Sequence, residues 1–493
     1  NLNNANFTGA TMTGAILTGA DFNGTNFSSV NLSGRNFSSY NFTNTNFTSA
    51  NLTDTDLSNT NFTSANLSGA DLSNSNFIGI NITSADLSNT RAGAGVLCQS
   101  GSTGICKMGE FRANTYTTAN QVAPAVAMDS AGNFVVVWSG VGSTGDGNDI
   151  FGQRYNSLGL PISAEARVNA YTTGIQQNPS IAMNSSGAFV ITWEGQGTGD
   201  DIGIFARRFN SDGTANGGEF RANVIATTHI QSNSSVAMDS AGDFVIVWQS
   251  HYLDSIGPVY STYYDINGQR YNSSGVGQGD ITIKLFDGLN MVRSPSVAMD
   301  GSGNFVVTWE GYNEDGGGFG IGARKYTSTG TAGSIFVANT STNGFQGNPS
   351  IAMDSAGNFI VAWKNNPLGT FSIQAQKFNP DTTKNDSQFI VNTNTVSSIG
   401  TPVVAMDDSG HFSVIWGGGV SGDTTAILGQ RYDSTGTQGT EFMVNAFTTN
   451  SQQNPAVAMD SNGNFNVVWE SLGQDLDNYG IFGHRYDSSG GNL

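Results

Sequence analysis

Residues able to do chemistry are sparse in this chain. Asp and Glu together number 38 of 493 residues, with 19 Lys and Arg, four His and two Cys. The histidines, His229, His251, His411 and His484, stand at unrelated places without metal-ligand spacing and read as surface or turn residues. Acid pairs lie in Gly-rich segments: Asp146 and Asp149, Asp200 and Asp201, Asp475 and Asp477. Such oxygen ligands are weak candidates for Ca²⁺, because no segment completes the D-x-[DN]-x-[DN]-G pattern; the other reading is solvated loop acid. No other cofactor is indicated. Tyr252, Tyr260, Tyr263 and Tyr264 share the longest variable segment, His251 to Asp265, read as a loop able to contact glycans or proteins. No nucleophile elbow, zinc-protease or phosphate-loop motif is present, so the expectation is a chain that is not an enzyme.

Cys98 and Cys106 bound the short segment CQSGSTGIC. They read as a disulfide in an oxidising compartment, the alternative being two free thiols. A net charge of −19 disfavours a nucleic-acid partner. No run approaches the ~20 apolar residues that span a bilayer. The chain opens on Asn1 rather than Met, which suggests a processed or partial chain.

Two repeats position these residues. From Leu2 to Leu87 a large apolar residue recurs every fifth position, as in Phe22, Phe27, Leu32, Phe37, Phe42 and Phe47. A mostly small residue stands two positions earlier, with Asn or Asp between. Each unit is a short strand and a corner that must stack on its neighbours to bury its apolar side. The pattern resembles the pentapeptide-repeat family over residues 1–90. That resemblance implies a right-handed quadrilateral β-helix of about twenty residues per coil. Arg35 and Tyr40 replace the small residue; they read as swinging outward at a bulge or corner, or as contact points for a partner. Many outward asparagines begin N-x-S/T acceptor patterns, such as Asn6-Phe7-Thr8, produced by the repeat itself or marking glycosylation.

Residues 91–110 break this period and read as a disulfide-stapled linker. From 111 to 493 a longer unit recurs seven times, marked by Ala-Met-Asp, a Gly turn, a β-branched run and one Trp: Trp138, Trp193, Trp248, Trp309, Trp363, Trp416 and Trp469. Four strands per unit, repeated radially, predict a seven-bladed β-propeller. An extra strand, Phe111-Arg112-Ala113-Asn114, precedes the first unit and could supply the fourth strand of the last, closing the ring. A basic residue recurs on every third strand, Arg154, Arg208, Arg270, Lys325, Lys377, Arg431 and Arg485, and is expected to pair with an acid such as the turn aspartate.

The expectation is thus an all-β extracellular or cell-surface protein. Its function reads as structural or adhesive, a self-assembling subunit of a surface layer, sheath or filament, with an uncapped solenoid end as the assembly edge. Self-association or contact with other surface proteins and glycans is expected, without a membrane span. The alternative is a soluble lectin-like propeller that binds carbohydrate or protein.

Overall fold

The computed structural model describes residues 2–10, 12, 17, 20–57, 60–72, 75, 81, 82, 84–87, 90–92, 95, 96, 110–141, 147–224, 230–256, 259–285, 291–367, 369, 371–393, 399–420, 423–436, 439–475 and 477–493. Both repeats fold as β-structure. Among the described residues no helix is long and apolar enough to cross a membrane.

In the first repeat the parallel bridges join positions twenty apart, such as Asn6↔Asn26, Asn26↔Asn46, Asn46↔Asn66 and Asn66↔Asp86. The large apolar residues fill the interior, with Phe22, Phe42, Phe47, Leu52 and Phe62 at 0% exposure. Rings stack from one coil to the next, Phe22 on Phe42 at 5.4 Å and Phe42 on Phe62 at 5.3 Å, near the inter-strand spacing of about 4.8 Å. Threonine serves at the small position because its hydroxyl finds a backbone acceptor: Thr45 Oγ1 donates to the Phe22 carbonyl at 2.8 Å and Thr60 Oγ1 to the Phe37 carbonyl at 3.0 Å. Left-handed backbone at Ser29, Ser39, Asn44, Ser49, Asp54 and Ser64 falls on short polar residues, which tolerate it best after glycine.

Arg35 and Tyr40 do not swing outward. Both are half-buried, and the bonds Asp56 N–H to Arg35 O at 2.8 Å and Asn61 N–H to Tyr40 O at 2.9 Å keep the coil step intact. The Tyr40 ring packs on Phe22, Phe37 and Phe42 at 6.0, 5.6 and 5.9 Å. The Arg35 guanidinium donates to the Met12 carbonyl. An aromatic layer and the Met12 carbonyl accommodate these two side chains.

The second repeat forms seven four-stranded antiparallel sheets, the blades of a β-propeller. Blade 1 comprises Gln121–Met128, Phe134–Val141, Asn148–Tyr155 and Ala166–Arg167. Blade 2 comprises Gln176–Met183, Phe189–Gly197, Asp200–Phe209 and Phe220–Arg221. Blades 3, 4, 5 and 6 begin at Ile230, Val292, Phe345 and Val403, and blade 7 at Gln452. Phe111–Arg112 lies fourth in the sheet of blade 7, with Phe111 opposite Gly483 and Arg112 opposite Phe482. A two-stranded ladder, Arg91–Ala92 with Gly95–Val96, follows the first repeat. Cys98 and Cys106 lie outside the described residues.

Apolar cores form between successive blades. Val135, Val137 and Ile150 of blade 1 pack with Ile181, Phe189, Ile191 and Trp193 of blade 2. Each second strand is covered on both faces, which explains its unbroken apolar run. Turn aspartates act as sequence reasoning expects: Asp129 Oδ1 accepts the N–H groups of Ala131 and Asn133 at 2.9 and 2.8 Å, and Gly132 takes φ of 84°.

The recurring basic residue does something else. Arg208 Nη1 donates to the Ser273 carbonyl at 2.8 Å, Arg270 Nη1 to Ser328 O at 2.7 Å, and Lys377 Nζ to Ser434 O at 3.3 Å. Lys325 reaches Pro380 O and Arg485 reaches Ser157 O. In these blades the cation ties to a turn carbonyl of the next blade, and Arg270 and Lys325 also feel the charges of Asp243 and Asp381.

Candidate functional site

The innermost strand of six blades carries a β-bulge. Its first residue adopts left-handed φ: Ala123 at 52°, Asn178 at 50°, Asn233 at 53°, Ser294 at 54°, Asn348 at 53° and Asn454 at 50°. Register shifts fall at the same places, as between Val122 and Ala125 and between Gln453 and Ala456. In five of these bulges proline follows, a residue that bulges accommodate because it has no N–H to give a ladder. Bulge residues and their prolines line a central cavity of about 390 Å³.

The N–H of the bulge residue turns toward the preceding blade. Its acceptor there is the side chain directly after that blade's tryptophan. Ala123 N–H donates to Glu470 Oε1 at 2.6 Å, Ser294 N–H to Gln249 Oε1 at 3.1 Å, and Asn348 N–H to Glu310 Oε2 at 2.8 Å. Asn233 N–H donates to Glu194 Oε1 in the same way. These are buried side chains, Glu310 at 0% and Glu470 at 2% exposure. Glu470 also accepts from Gln453 Nε2 and Asn454 Nδ2, each at 2.9 Å. The arrangement clasps blade 2 to 3, 3 to 4, 4 to 5, and 7 to 1.

Burial pushes the Glu194 carboxyl above its usual range, although hydrogen bonds from Asn233, Asn178 and Gln177 pull it down. A raised native pKa means that the folded protein holds this proton more readily than the unfolded chain. The stabilisation is full below the unfolded value, near 4.5, and is lost as pH rises through the native value. Glu194→Gln removes this slope. Gln249 already performs the same task, so the variant is expected to stay within about 1 kcal/mol of the parent at low pH. Urea titrations from pH 4 upward would show parallel pH profiles if this assignment is wrong.

Three junctions lack the clasp. Ser139 follows Trp138 and donates its hydroxyl to Val122 O at 3.1 Å within its own blade. Lys364 follows Trp363; a cation cannot accept, and its ammonium sits 4.6 Å from the Phe371 ring centre, its pKa lowered by burial. Gly417 follows Trp416 and has no side chain. At this last junction a pocket of about 440 Å³ opens between blades 6 and 7, with Pro124 of blade 1 on its wall. It is lined by Gly400, Thr401, Val403, Gly417, Gly418, Thr425 and the run Ser451 to Pro455. The first strand of blade 6 is also the shortest of its kind, Val403–Met406. Gly400 N–H bonds Gly417 O at 2.6 Å and Asn348 Nδ2 bonds Thr401 Oγ1 at 2.8 Å, which hold the wall in place.

The residues singled out from sequence lie elsewhere and apart. Asp149 accepts from Asn169 Nδ2 at 2.6 Å and pairs with Arg167 at 3.4 Å, whereas Asp200 accepts from Asn223 Nδ2 at 2.6 Å. These acids position asparagines just after the fourth strands, whose Oδ1 atoms accept from Ile150 and Ile204 N–H groups. Asp477 accepts from the Ala119 N–H at 3.1 Å. Asp475 lies in the same turn region, Asp201 is on the third strand of blade 2, and Asp146 is outside the described residues. Among the described residues no three His, Cys, Asp or Glu side chains gather as a metal group.

The segment from His251 to Asp265 is not a loop. Strands Phe244–Ile256 and Val259–Tyr271 pair throughout, with Tyr252 opposite Tyr263 and Ser255 opposite Tyr260. The half-buried Tyr264 ring lies 5.5 Å from His251. His484 is not a surface residue either: at 6% exposure it stacks on Tyr486 at 4.7 Å. His411 does sit in a turn, bonded to Asp407 at 2.7 Å, and His229 is outside the described residues. The acceptor patterns in the first repeat have a structural cause. Asn6 Oδ1 accepts from both N–H and hydroxyl of Thr8, and Asn61 Nδ2 donates to Asn41 Oδ1 at 3.1 Å one coil back.

Residues 1–92 match the pentapeptide repeats family, in eight copies. No curated protein matches the chain. Among solved structures, an ulvan lyase of a new polysaccharide lyase family is 12% identical with a TM-score of 0.50, over 76% of this chain and 96% of that one. A Hadza microbial sialidase is 12% identical with a TM-score of 0.43, over 69% and 73%. The pentapeptide repeat protein HetL of Nostoc sp. strain PCC 7120 is 26% identical over 21% of this chain and 42% of that one, with a TM-score of 0.15. The chain therefore carries a pentapeptide-repeat segment over residues 1–92 and, after it, a seven-bladed β-propeller. The expectation that the chain is not an enzyme finds no support in this fold, which the ulvan lyase shares.

Proposed function

We propose that this is an extracellular adhesive protein whose propeller binds a neutral carbohydrate in the pocket between blades 6 and 7. The pocket lining carries this reading. It carries hydroxyls and amides from Thr401, Thr425, Ser451, Gln452, Gln453 and Asn454, apolar faces from Pro124, Val403 and Pro455, and, among the described residues, no charged side chain. An ion would find no counter-charge among the described lining residues, and an apolar ligand would cover the exposed polar groups of Thr401 and Asn454. A hydroxyl-rich neutral ligand satisfies both kinds of surface.

The pentapeptide segment then serves as a right-handed, four-sided β-helical spacer. The uniform offset of twenty residues and side chains that satisfy one another across coils support this. The ring closes through Phe111–Arg112: Phe111 packs on Tyr155 at 5.3 Å just as Phe220 packs on Tyr271 at 5.3 Å. Self-association belongs to the same adhesive reading, and light scattering that finds a strict monomer at high concentration counts against it.

A glycan array probed with the intact protein is expected to give hits among neutral oligosaccharides. Parallel assays for new reducing ends or unsaturated products should show no turnover. An array without neutral hits rejects the reading, and turnover of a hit would make the pocket catalytic instead.

A further inference from the structure

The notch beside Gly417 has a shape that the other junctions define. Blade 7 presents the same bulge as its fellows, with Asn454 at φ of 50° and Pro455 after it. At four junctions the bulge N–H receives a side-chain oxygen from the residue after tryptophan. Position 417 should provide that oxygen for Asn454, and glycine provides none. The space is open, since a Cβ built on Gly417 would meet nothing within 4 Å.

We propose that this notch is a subsite for the amide carbonyl oxygen of an N-acetylated sugar; the inference rests on the glycan reading above. The ligand oxygen occupies the place of the missing side-chain acceptor and receives the Asn454 N–H. A neutral oxygen is required. Glu470, which already holds Gln453 and Asn454 of the same lining, would repel a carboxylate. Gln249 is the precedent, an amide oxygen that accepts the Ser294 N–H at 3.1 Å in blade 3. The acetyl methyl meets Pro124, Val403 or Pro455, and the sugar ring takes the rest of a cavity of about 440 Å³. A hydroxyl could accept the same bond, but it would leave the apolar part of the notch uncovered.

Calorimetric titration of the intact protein with chitotriose and with cellotriose tests this. Both are neutral trisaccharides, and only the first carries acetamido groups. Chitotriose is expected to bind about tenfold tighter, the net worth of one hydrogen bond. Gly417→Gln should place its own amide oxygen in the notch, abolish that preference and keep or raise the melting temperature. Equal affinity for the two sugars overturns the acetamido subsite while leaving a glycan pocket. Unchanged chitotriose binding by a folded Gly417→Gln protein overturns its location. Failure of chitotriose to bind overturns the inference, and the glycan reading then stands or falls on the array.

Discussion

Trp193→Ala is expected to destabilise the propeller by about 3–5 kcal/mol. The indole has 0% exposure and packs in the core shared by blades 1 and 2, against residues such as Val137, Ile150 and Phe205. Truncation leaves a cavity between two sheets that are each pinned by their other neighbours, so little of it can collapse. It also removes the partner of Gln176: Trp193 Nε1 donates to Gln176 Oε1 at 3.0 Å, while Gln176 Nε2 holds Gln196 O at 2.9 Å. Trp193→Phe should keep most of the packing, lose the hydrogen bond and cost clearly less. Urea denaturation of the three proteins checks this order. A near-neutral Trp193→Ala would mean that the blades do not share a tight core.

The second large effect is at the seam of the ring. Glu470→Ala leaves three donors without their acceptor, the Ala123 N–H and the side-chain amides of Gln453 and Asn454. Its cost is expected to be about 2–4 kcal/mol, since a buried donor left unmet costs about 1–3 kcal/mol. Blades 7 and 1 are also joined by Ser461 Oγ to Ser130 O at 3.2 Å, an exposed bond that cannot replace a buried clasp. Glu470→Gln should recover most of the loss, as Gln249 shows. Hydrogen exchange should then locate the weakening in the first strand of blade 1, and uniform loosening of all blades would contradict a seam role.

Much of the fold was legible in the sequence because both repeats are covalent regularities. The five-residue period predicts the stacking ladder, and seven tryptophans predict seven blades. Asp129 and its equivalents were legible because an aspartate before a glycine turn caps locally, whatever the rest of the chain does. Long-range partners were not. Nothing in the sequence shows that an arginine will meet a carbonyl in the turn of the next blade. The hairpin at Tyr252 and Tyr263 looked like a loop because its polar, irregular composition hides the pairing, although Gly257-Pro258 is a turn signal.

The candidate site was missed for a related reason. The residues after the tryptophans are Ser139, Glu194, Gln249, Glu310, Lys364, Gly417 and Glu470. That variety resembles an exposed position, where side-chain identity matters little. Only the bulge geometry shows that the position is buried and that glutamate or glutamine is its regular occupant. Once that is known, Gly417 becomes the break in the repeat that a search for reactive residues could not find, because it is marked by a missing side chain.

Deuterium exchange of the intact protein, with and without a saturating neutral glycan, tests the central claim most directly. Protection is expected to concentrate in the segments Ile399 to Gly418 and Ser451 to Pro455, which wall the pocket. Protection of the Tyr252 to Tyr264 hairpin in place of those segments would contradict it.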